Sequence, residues 1–138
     1  MSEVVSRAAS ALVAYDFAVL RVVPHAHLGA FVPIGVAVHS RTARFLALRT
    51  VEGSAALAAL VPAMDVELLD RYLTSCRAMC AGDTWAGPVA LAPTSERFHW
   101  LTAPRSDVLQ SSPVHGGLCA SPAEALARLF TAYVDRTR

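Results

Sequence analysis

The polar groups best suited to chemistry in this chain are concentrated between Glu96 and Gly117. This stretch combines two guanidinium groups, two imidazoles, an amide and several hydroxyls. Arginine offers paired N–H donors to carboxylate or phosphate, and backbone N–H groups at a turn such as Gly116-Gly117 can also bind an anion. We therefore predict a binding site for a small anion such as a phosphate ester or a nucleotide. Its candidate ligand-binding residues are Arg21, Arg97, Arg105, Gln110, Ser112 and His115.

The same polar stretch also fits a purely structural role. Arg97 and Arg105 could pair with neighbouring carboxylates, while Ser112 and His115 hold a turn. His115 could act as a general acid or base, because imidazole exchanges protons near neutral pH. Cys119 could pair with it, but no third group that would orient the pair is identifiable. We assign no catalytic residue, and the sequence leaves open whether the protein is an enzyme.

Two pairs of residues have spacings that a metal site can use. Cys76 and Cys80 lie four residues apart and share one face of a predicted helix, while His25 and His27 alternate within a loop. Thiolates at that spacing hold a metal only when further ligands converge, and free cysteine is usually a small buried residue. We predict core packing for the cysteines and exposed loop or turn positions for His25, His27 and His39. Neither a metal nor a cofactor is predicted.

Length, charge and cysteine content restrict the class of protein. A chain of 138 residues fits one domain, and a net charge of +1 argues against a broad nucleic-acid surface. The most apolar run, Leu28 to Val38, is interrupted by glycine and proline and is too short to span a bilayer. No segment resembles a targeting signal, and an odd count of 3 cysteines favours reduced thiols. We predict a cytoplasmic protein that neither spans a membrane nor binds nucleic acid.

The balance of apolar and charged residues is unusual. Hydrophobic residues make up 54% of the chain and charged residues 17%, against about 45–50% and 25% in typical domains. A partner that covers an apolar patch would explain this balance. A high content of alanine, which is only weakly apolar, is the simpler explanation.

The elements that must position these groups begin with three strands. Tyr15 to Pro24 is apolar on both faces, which predicts a central strand with Arg21 as its one cation. Phe31 to Val38 and Arg44 to Thr50 follow, and Pro33 indicates an edge or a bulge. Connections this short imply an antiparallel meander. Residues 1–14 are predicted to be an N-terminal extension and residues 15–138 a single domain.

Helices dominate the rest of the chain. We predict helices over Gly53 to Leu60 and from Asp65 to Gly82, a loop over 83–93, and a short helix over Ser95 to Leu101. A strand over Val108 to Val114 and a turn at Gly116-Gly117 then precede a helix capped by Ser121. The last helix has an apolar stripe of Leu126, Leu129, Phe130 and Tyr133. Because the strands cluster early, the predicted class is α+β: an antiparallel strand meander, then helices, one further strand and a C-terminal helix.

Several of these segments together resemble one known family. The chain resembles the bacterial family catalogued as domain of unknown function 3037, in which matching segments occur in the same order. These are Tyr15 to Pro24, Phe31 to Val38, Glu96 to Leu101 with Ala103 to Ser106, and Ser112 to His115 with Gly117 to Cys119. The resemblance covers nearly the whole chain beyond the extension. One departure is Pro33, where the family tends to carry a polar residue.

The resemblance implies no established activity. It does suggest a partner, because members of the family are often encoded beside a Hip-type kinase-like protein. We therefore expect a small cytoplasmic accessory or interaction protein, whose partner is that neighbour or a second copy of the chain. Trp85 and Trp100 are the first candidates for its contacts if exposed, although Trp100 is expected in the core. The alternative is an enzyme or binding domain for a small anionic ligand.

Overall fold

The computed structural model describes residues 11–23, 31–62, 64–104 and 108–135. In these ranges the chain forms a five-stranded antiparallel sheet and four α-helices, which confirms the α+β meander. The strands are β1 (Val13–Val22), β2 (Val32–Ser40), β3 (Phe45–Thr50), β4 (Leu109–Ser111) and β5 (His115–Cys119). The helices are α1 (Ser54–Leu60), α2 (Val66–Ala81), α3 (Thr94–Thr102) and α4 (Pro122–Tyr133), with 3-10 turns at Thr84–Ala86 and Pro88–Leu91.

Strand β1 lies at the centre of the sheet, as its apolar residues on both faces predict. It pairs with β2 along one side, and with β4 and β5, one after the other, along the opposite side. Strand β3 continues the sheet beyond β2. Because β1 begins at Val13, the sheet includes two residues that were assigned to the N-terminal extension. His25, His27 and residues 1–10 lie outside the described part of the chain.

The helices form a layer on each face of the sheet. Helix α4 packs on β1, β2 and β3 over one face, which carries Phe17, Val19 and Arg49. Helices α2 and α3 cover the opposite face, where the His39 ring of β2 stacks on Phe98 of α3. Within the described ranges, no helix combines the length and the apolar character needed to cross a bilayer.

Local end signals explain where the longer helices begin and end. The Asp65 side chain accepts a hydrogen bond from Leu68 N, and Gly82 ends α2 with a left-handed φ of 82°. The Ser121 hydroxyl accepts from Glu124 N at 3.3 Å at the start of α4, and Pro122 occupies its first turn. Both predicted helix starts are therefore confirmed.

The predicted turn at Gly116-Gly117 is wrong, and the predicted strand before it is shorter than expected. Both glycines lie within β5, in register with Asp16 and Tyr15. The Tyr15 side chain lies over Gly117, so a Cβ there would be 2.7 Å from its hydroxyl oxygen. Gly117 therefore lets an aromatic ring lie close against the strand. A glycine with this role and a glycine in a turn look the same in the sequence.

Trp100 is also placed differently from expectation. Phe98 and Leu101 form the buried side of α3, so Trp100 lies on its flank with 41% of its surface exposed. Trp85 is 65% exposed.

Candidate functional site

A cavity of about 290 Å³ lies on the α4 side of the sheet. Its floor is formed by Phe17, Val19 and Arg21, which alternate along β1 and so point to the same face. The other lining residues are Phe31, Pro33, Ser112, His115 and Tyr133. The volume is at the small end of the range for ligand pockets.

The strand that forms this floor has a β-bulge on each side. Its register with β2 shifts between Leu20 and Arg21, because β2 contributes one extra residue next to Pro33. Along the other side, residues 112–114 lie opposite only Ala18 and Val19. Bulges increase local twist and redirect side chains, and they are enriched beside active sites. The bulge indicated by Pro33 is confirmed, and both irregularities lie beside the cavity.

Ser112 holds the edge strand together at its bulge. Its backbone N–H donates to Val19 O at 2.8 Å, and its hydroxyl accepts from Val19 N at 2.9 Å. The hydroxyl donates in turn to Pro113 O at 2.9 Å. A serine hydroxyl has one proton to donate, and here it goes to Pro113 O, so the hydroxyl has no proton left to donate to a ligand. Ser112 therefore shapes the wall of the cavity, in agreement with the structural role proposed for it from the sequence.

Arg21 is the one cation among the described residues that line the cavity. Its guanidinium carbon lies 4.6 Å from the centre of the Phe31 ring, which fixes the plane of the group by cation–π stacking. Its Nε is shielded from solvent and has no hydrogen-bond partner. A desolvated donor without an acceptor is energetically unfavourable. A ligand that supplies an acceptor for this N–H would remove that cost, so the site favours ligands with acceptor atoms.

Three rings, the central one in contact with the other two, form another part of the cavity wall. The ring centre of Phe17 lies 5.6 Å from that of His115 and 5.8 Å from that of Tyr133. Tyr133 is in the last turn of α4, so the cavity opens where this helix ends. His115 and Tyr133 bring two further polar groups to a mostly apolar hollow.

The structure brings only part of the predicted site together. Arg21, Ser112 and His115 all line the cavity. Gln110 is the register partner of Arg21 on β4 but is not a lining residue. Arg105 lies outside the described part of the chain.

Arg97 lies on the other side of the sheet, in α3. Its Nε donates to Ala92 O at 2.9 Å, and its Nη1 donates to Met79 O at 3.1 Å and Cys80 O at 2.8 Å. Arg97 therefore binds two carbonyls at the C-terminal end of α2. Met79 O also accepts from Gly82 N, whereas Cys80 O has the guanidinium as its donor. The role of Arg97 is structural, but its partners are backbone carbonyls and not the neighbouring carboxylate suggested by the sequence, and we leave it out of the site.

The lining residues Phe31, Pro33 and Tyr133 were not predicted as parts of a site. Each is apolar or aromatic and lies far from the others along the chain, so no local pattern connects them. The one available signal was Arg21, a cation within an otherwise apolar strand.

His39 is not the turn residue that was expected, because β2 continues through it to Ser40. Its side chain is buried, stacks on Phe98 at 5.3 Å and lies 3.3 Å, Nε2 to Oγ1, from Thr94. Burial lowers the pKa of His39, and the Arg97 cation lowers it further, while Asp16 opposes them. This histidine therefore links β2 to α3 as a neutral ring.

Cys76 and Cys80 are buried on the core side of α2, which confirms their interpretation as core residues. Burial, with a smaller effect of the neighbouring Cys76, raises the pKa of Cys80 to about 12. The thiol is therefore protonated at physiological pH and is a poor metal ligand or nucleophile. Among the described residues, no three His, Cys, Asp or Glu side chains are placed to hold a metal ion.

Comparison with known proteins identifies one family. The model of a family described as "Protein of unknown function (DUF3037)" matches residues 17–134, which include every described residue that lines the cavity. No curated protein and no solved structure is detectably similar to the chain.

Proposed function

Because the chain belongs to the DUF3037 family, whose description assigns no activity, we propose a function from the site itself: a binding domain for a small anionic ligand. The observation that carries this proposal is Arg21. It is a partly buried cation in a cavity, with an unpartnered Nε and no counter-ion among the described residues. His115 and Tyr133 supply further polar contacts at the rim.

A thermal-shift experiment tests this proposal. A small anion that binds the folded protein and not the unfolded chain raises its melting temperature, and the rise grows with the logarithm of the anion concentration above the Kd. Acetate, phenylacetate, inorganic phosphate and phenyl phosphate are suitable probes. We expect at least one of them to raise the melting temperature of the wild type, and Arg21→Gln to remove the rise.

Arg49→Gln is the matched control. Its guanidinium also stacks on a ring of the same sheet face, 4.5 Å from the centre of Phe130, but does not line the cavity. This variant should respond to the ligand as the wild type does. A chain that responds to none of the four probes, or an Arg21→Gln variant with an undiminished response, would contradict the proposal.

A second candidate function is that of an accessory or interaction protein, supported by an exposed apolar surface on the opposite helical layer. We define the Tyr72 surface as Leu68, Tyr72, Trp100 and Val108, with exposed fractions of 56%, 39%, 41% and 43%. Tyr72 lines both of two adjoining grooves, of about 360 and 90 Å³. Aromatic residues are enriched at protein interfaces.

The partner we propose for this surface is a Hip-type kinase-like protein encoded beside the gene, as the resemblance suggested. A bacterial cytoplasmic location suits this function and the three free cysteines. Co-expression with the neighbouring gene, affinity purification and light scattering would test it.

Leu68→Asp should abolish capture of the kinase-like protein, because it places a charge within the Tyr72 surface. Leu118→Asp is the control, since Leu118 is 66% exposed on strand β5, outside that surface. A wild-type protein that remains monomeric and captures no neighbour would exclude this function. A homodimer would instead identify a second copy as the partner.

A further inference from the structure

We propose that the ligand of the cavity is a monocarboxylate with an aromatic or branched apolar body, and not a phosphate ester. This inference rests on the proposed anion-binding function and specifies the substrate class of the same site. It departs from the phosphate or nucleotide expected from the sequence.

Charge balance is the first argument. A carboxylate carries one negative charge, which Arg21, the one cation among the described residues of the lining, can neutralise. A phosphate monoester carries about −1.5 to −2 at neutral pH and would bring an unbalanced charge into a mostly apolar hollow.

The position of helix α4 is the second argument. The cavity lies beside Tyr133, at the C-terminal end of this helix. A helix C-terminus carries a partial negative charge of roughly half an electron, which opposes highly charged anions. Phosphate sites in proteins usually use the opposite end of a helix or a run of backbone N–H groups.

Guanidinium geometry is the third argument. The Nε and one Nη of arginine form an edge whose two parallel N–H groups match the two oxygens of a planar carboxylate. Stacking on Phe31 holds the guanidinium plane, and Nε has no other partner. Phe31 is 52% exposed, so its ring has room to slide along the guanidinium face and uncover the shielded Nε for the carboxylate oxygens while the stacking is kept.

The apolar walls are the fourth argument. Phe17, Val19, Phe31 and Pro33 surround the cation, and the Tyr133 ring lies against Phe17. Aromatic rings prefer offset or edge-to-face neighbours, so these walls suit a ring or a branched alkyl group attached to the carboxylate.

Calorimetric titration of the full chain with phenylacetate, acetate and phenyl phosphate tests the inference. We expect phenylacetate to bind with a Kd about tenfold or more below those of acetate and phenyl phosphate. Arg21→Gln should raise the Kd of phenylacetate about 10-fold to 100-fold, the effect of losing charged hydrogen bonds. Arg21→Lys keeps the charge but loses the two-donor edge, and should weaken phenylacetate nearly as much.

The possible results separate the two proposals. If phenyl phosphate binds as tightly as phenylacetate or more tightly, and still depends on Arg21, the monocarboxylate inference is wrong while the anion-binding function stands. Equal affinity for acetate and phenylacetate would also overturn the inference, since the apolar walls would then contribute nothing. If no probe binds, or if Arg21→Gln binds all of them unchanged while remaining folded by circular dichroism, both proposals fail.

Discussion

At the scale of single residues, burial determines which polar groups of this protein are available for chemistry. The Nε of Arg21 is a donor without an acceptor, whereas the hydroxyl of Ser112 already donates its proton to Pro113 O. His39 was expected in a turn and is instead enclosed between β2 and α3. The residue type alone does not distinguish these three situations.

His39 should make the stability of the protein depend on pH. Its pKa in the folded state lies below the ordinary value of 6.5, because burial disfavours the charged ring. The unfolded chain therefore binds more protons as pH falls through 6.5, so the free energy of unfolding is highest above this pH and decreases below it. His39→Gln, which can still hydrogen bond to Thr94, should flatten the decrease between about pH 7.5 and 5.

Urea unfolding at several pH values measures this effect. His99→Gln serves as the control, because this exposed histidine of α3 has no comparable enclosure. Parallel curves for wild type and His39→Gln over the whole range would show that His39 does not titrate differently on folding.

At the scale of elements, side chains distant in sequence complete the ends and edges of helices and strands. Arg97 satisfies carbonyls at the end of α2, next to Gly82. Arg97→Ala should lower the free energy of unfolding by about 1–3 kcal/mol, because it removes the guanidinium hydrogen bonds to Cys80 O and Ala92 O. Arg97→Lys keeps a cation without the fork and should recover only part of the loss, as measured by urea denaturation. A wild-type midpoint for Arg97→Ala would mean that water replaces the guanidinium at no cost.

Strand β5 offers a comparison between two adjacent glycines. Gly117→Ala should destabilise the protein by about 1–3 kcal/mol, because its Cβ would overlap the buried Tyr15 ring. Gly116→Ala should be neutral or slightly stabilising, since its nearest contact is an ordinary 3.5 Å from the Asp16 carboxylate. Thermal unfolding of the two variants gives the comparison. Equal melting temperatures would show that Tyr15 moves aside freely.

Elements defined by interactions between neighbouring residues could be predicted from the sequence, whereas features defined by distant residues could not. Helices α2 and α4 have their signals in adjacent residues, such as Asp65 and Ser121, and both were predicted. Strand β5 was not predicted, because the reason for a glycine at position 117 is its contact with Tyr15, about a hundred residues earlier in the chain. The cavity was half predicted for the same reason. Arg21 is conspicuous within an apolar strand, but Phe31 and Tyr133 reach it only through the fold.

At the scale of the whole molecule, the sheet separates the two candidate sites. The cavity lies on the α4 face, and the Tyr72 surface belongs to the layer of α2 and α3 on the opposite face. Ligand binding and partner binding therefore need not compete for the same residues. A protein that binds a small acid on one face could present a partner-binding surface on the other.

The placement of the two tryptophans gives this arrangement an optical consequence. Trp85 and Trp100 both lie in the layer of α2 and α3, at 65% and 41% exposure, and neither lines the cavity. Their emission should be that of solvent-exposed indole and should be quenched readily by iodide. A partner that covers the Tyr72 surface would shift the emission to shorter wavelength and protect Trp100 from the quencher. A small acid in the cavity would leave the spectrum unchanged. Tryptophan fluorescence therefore detects binding on one face of this protein and not on the other.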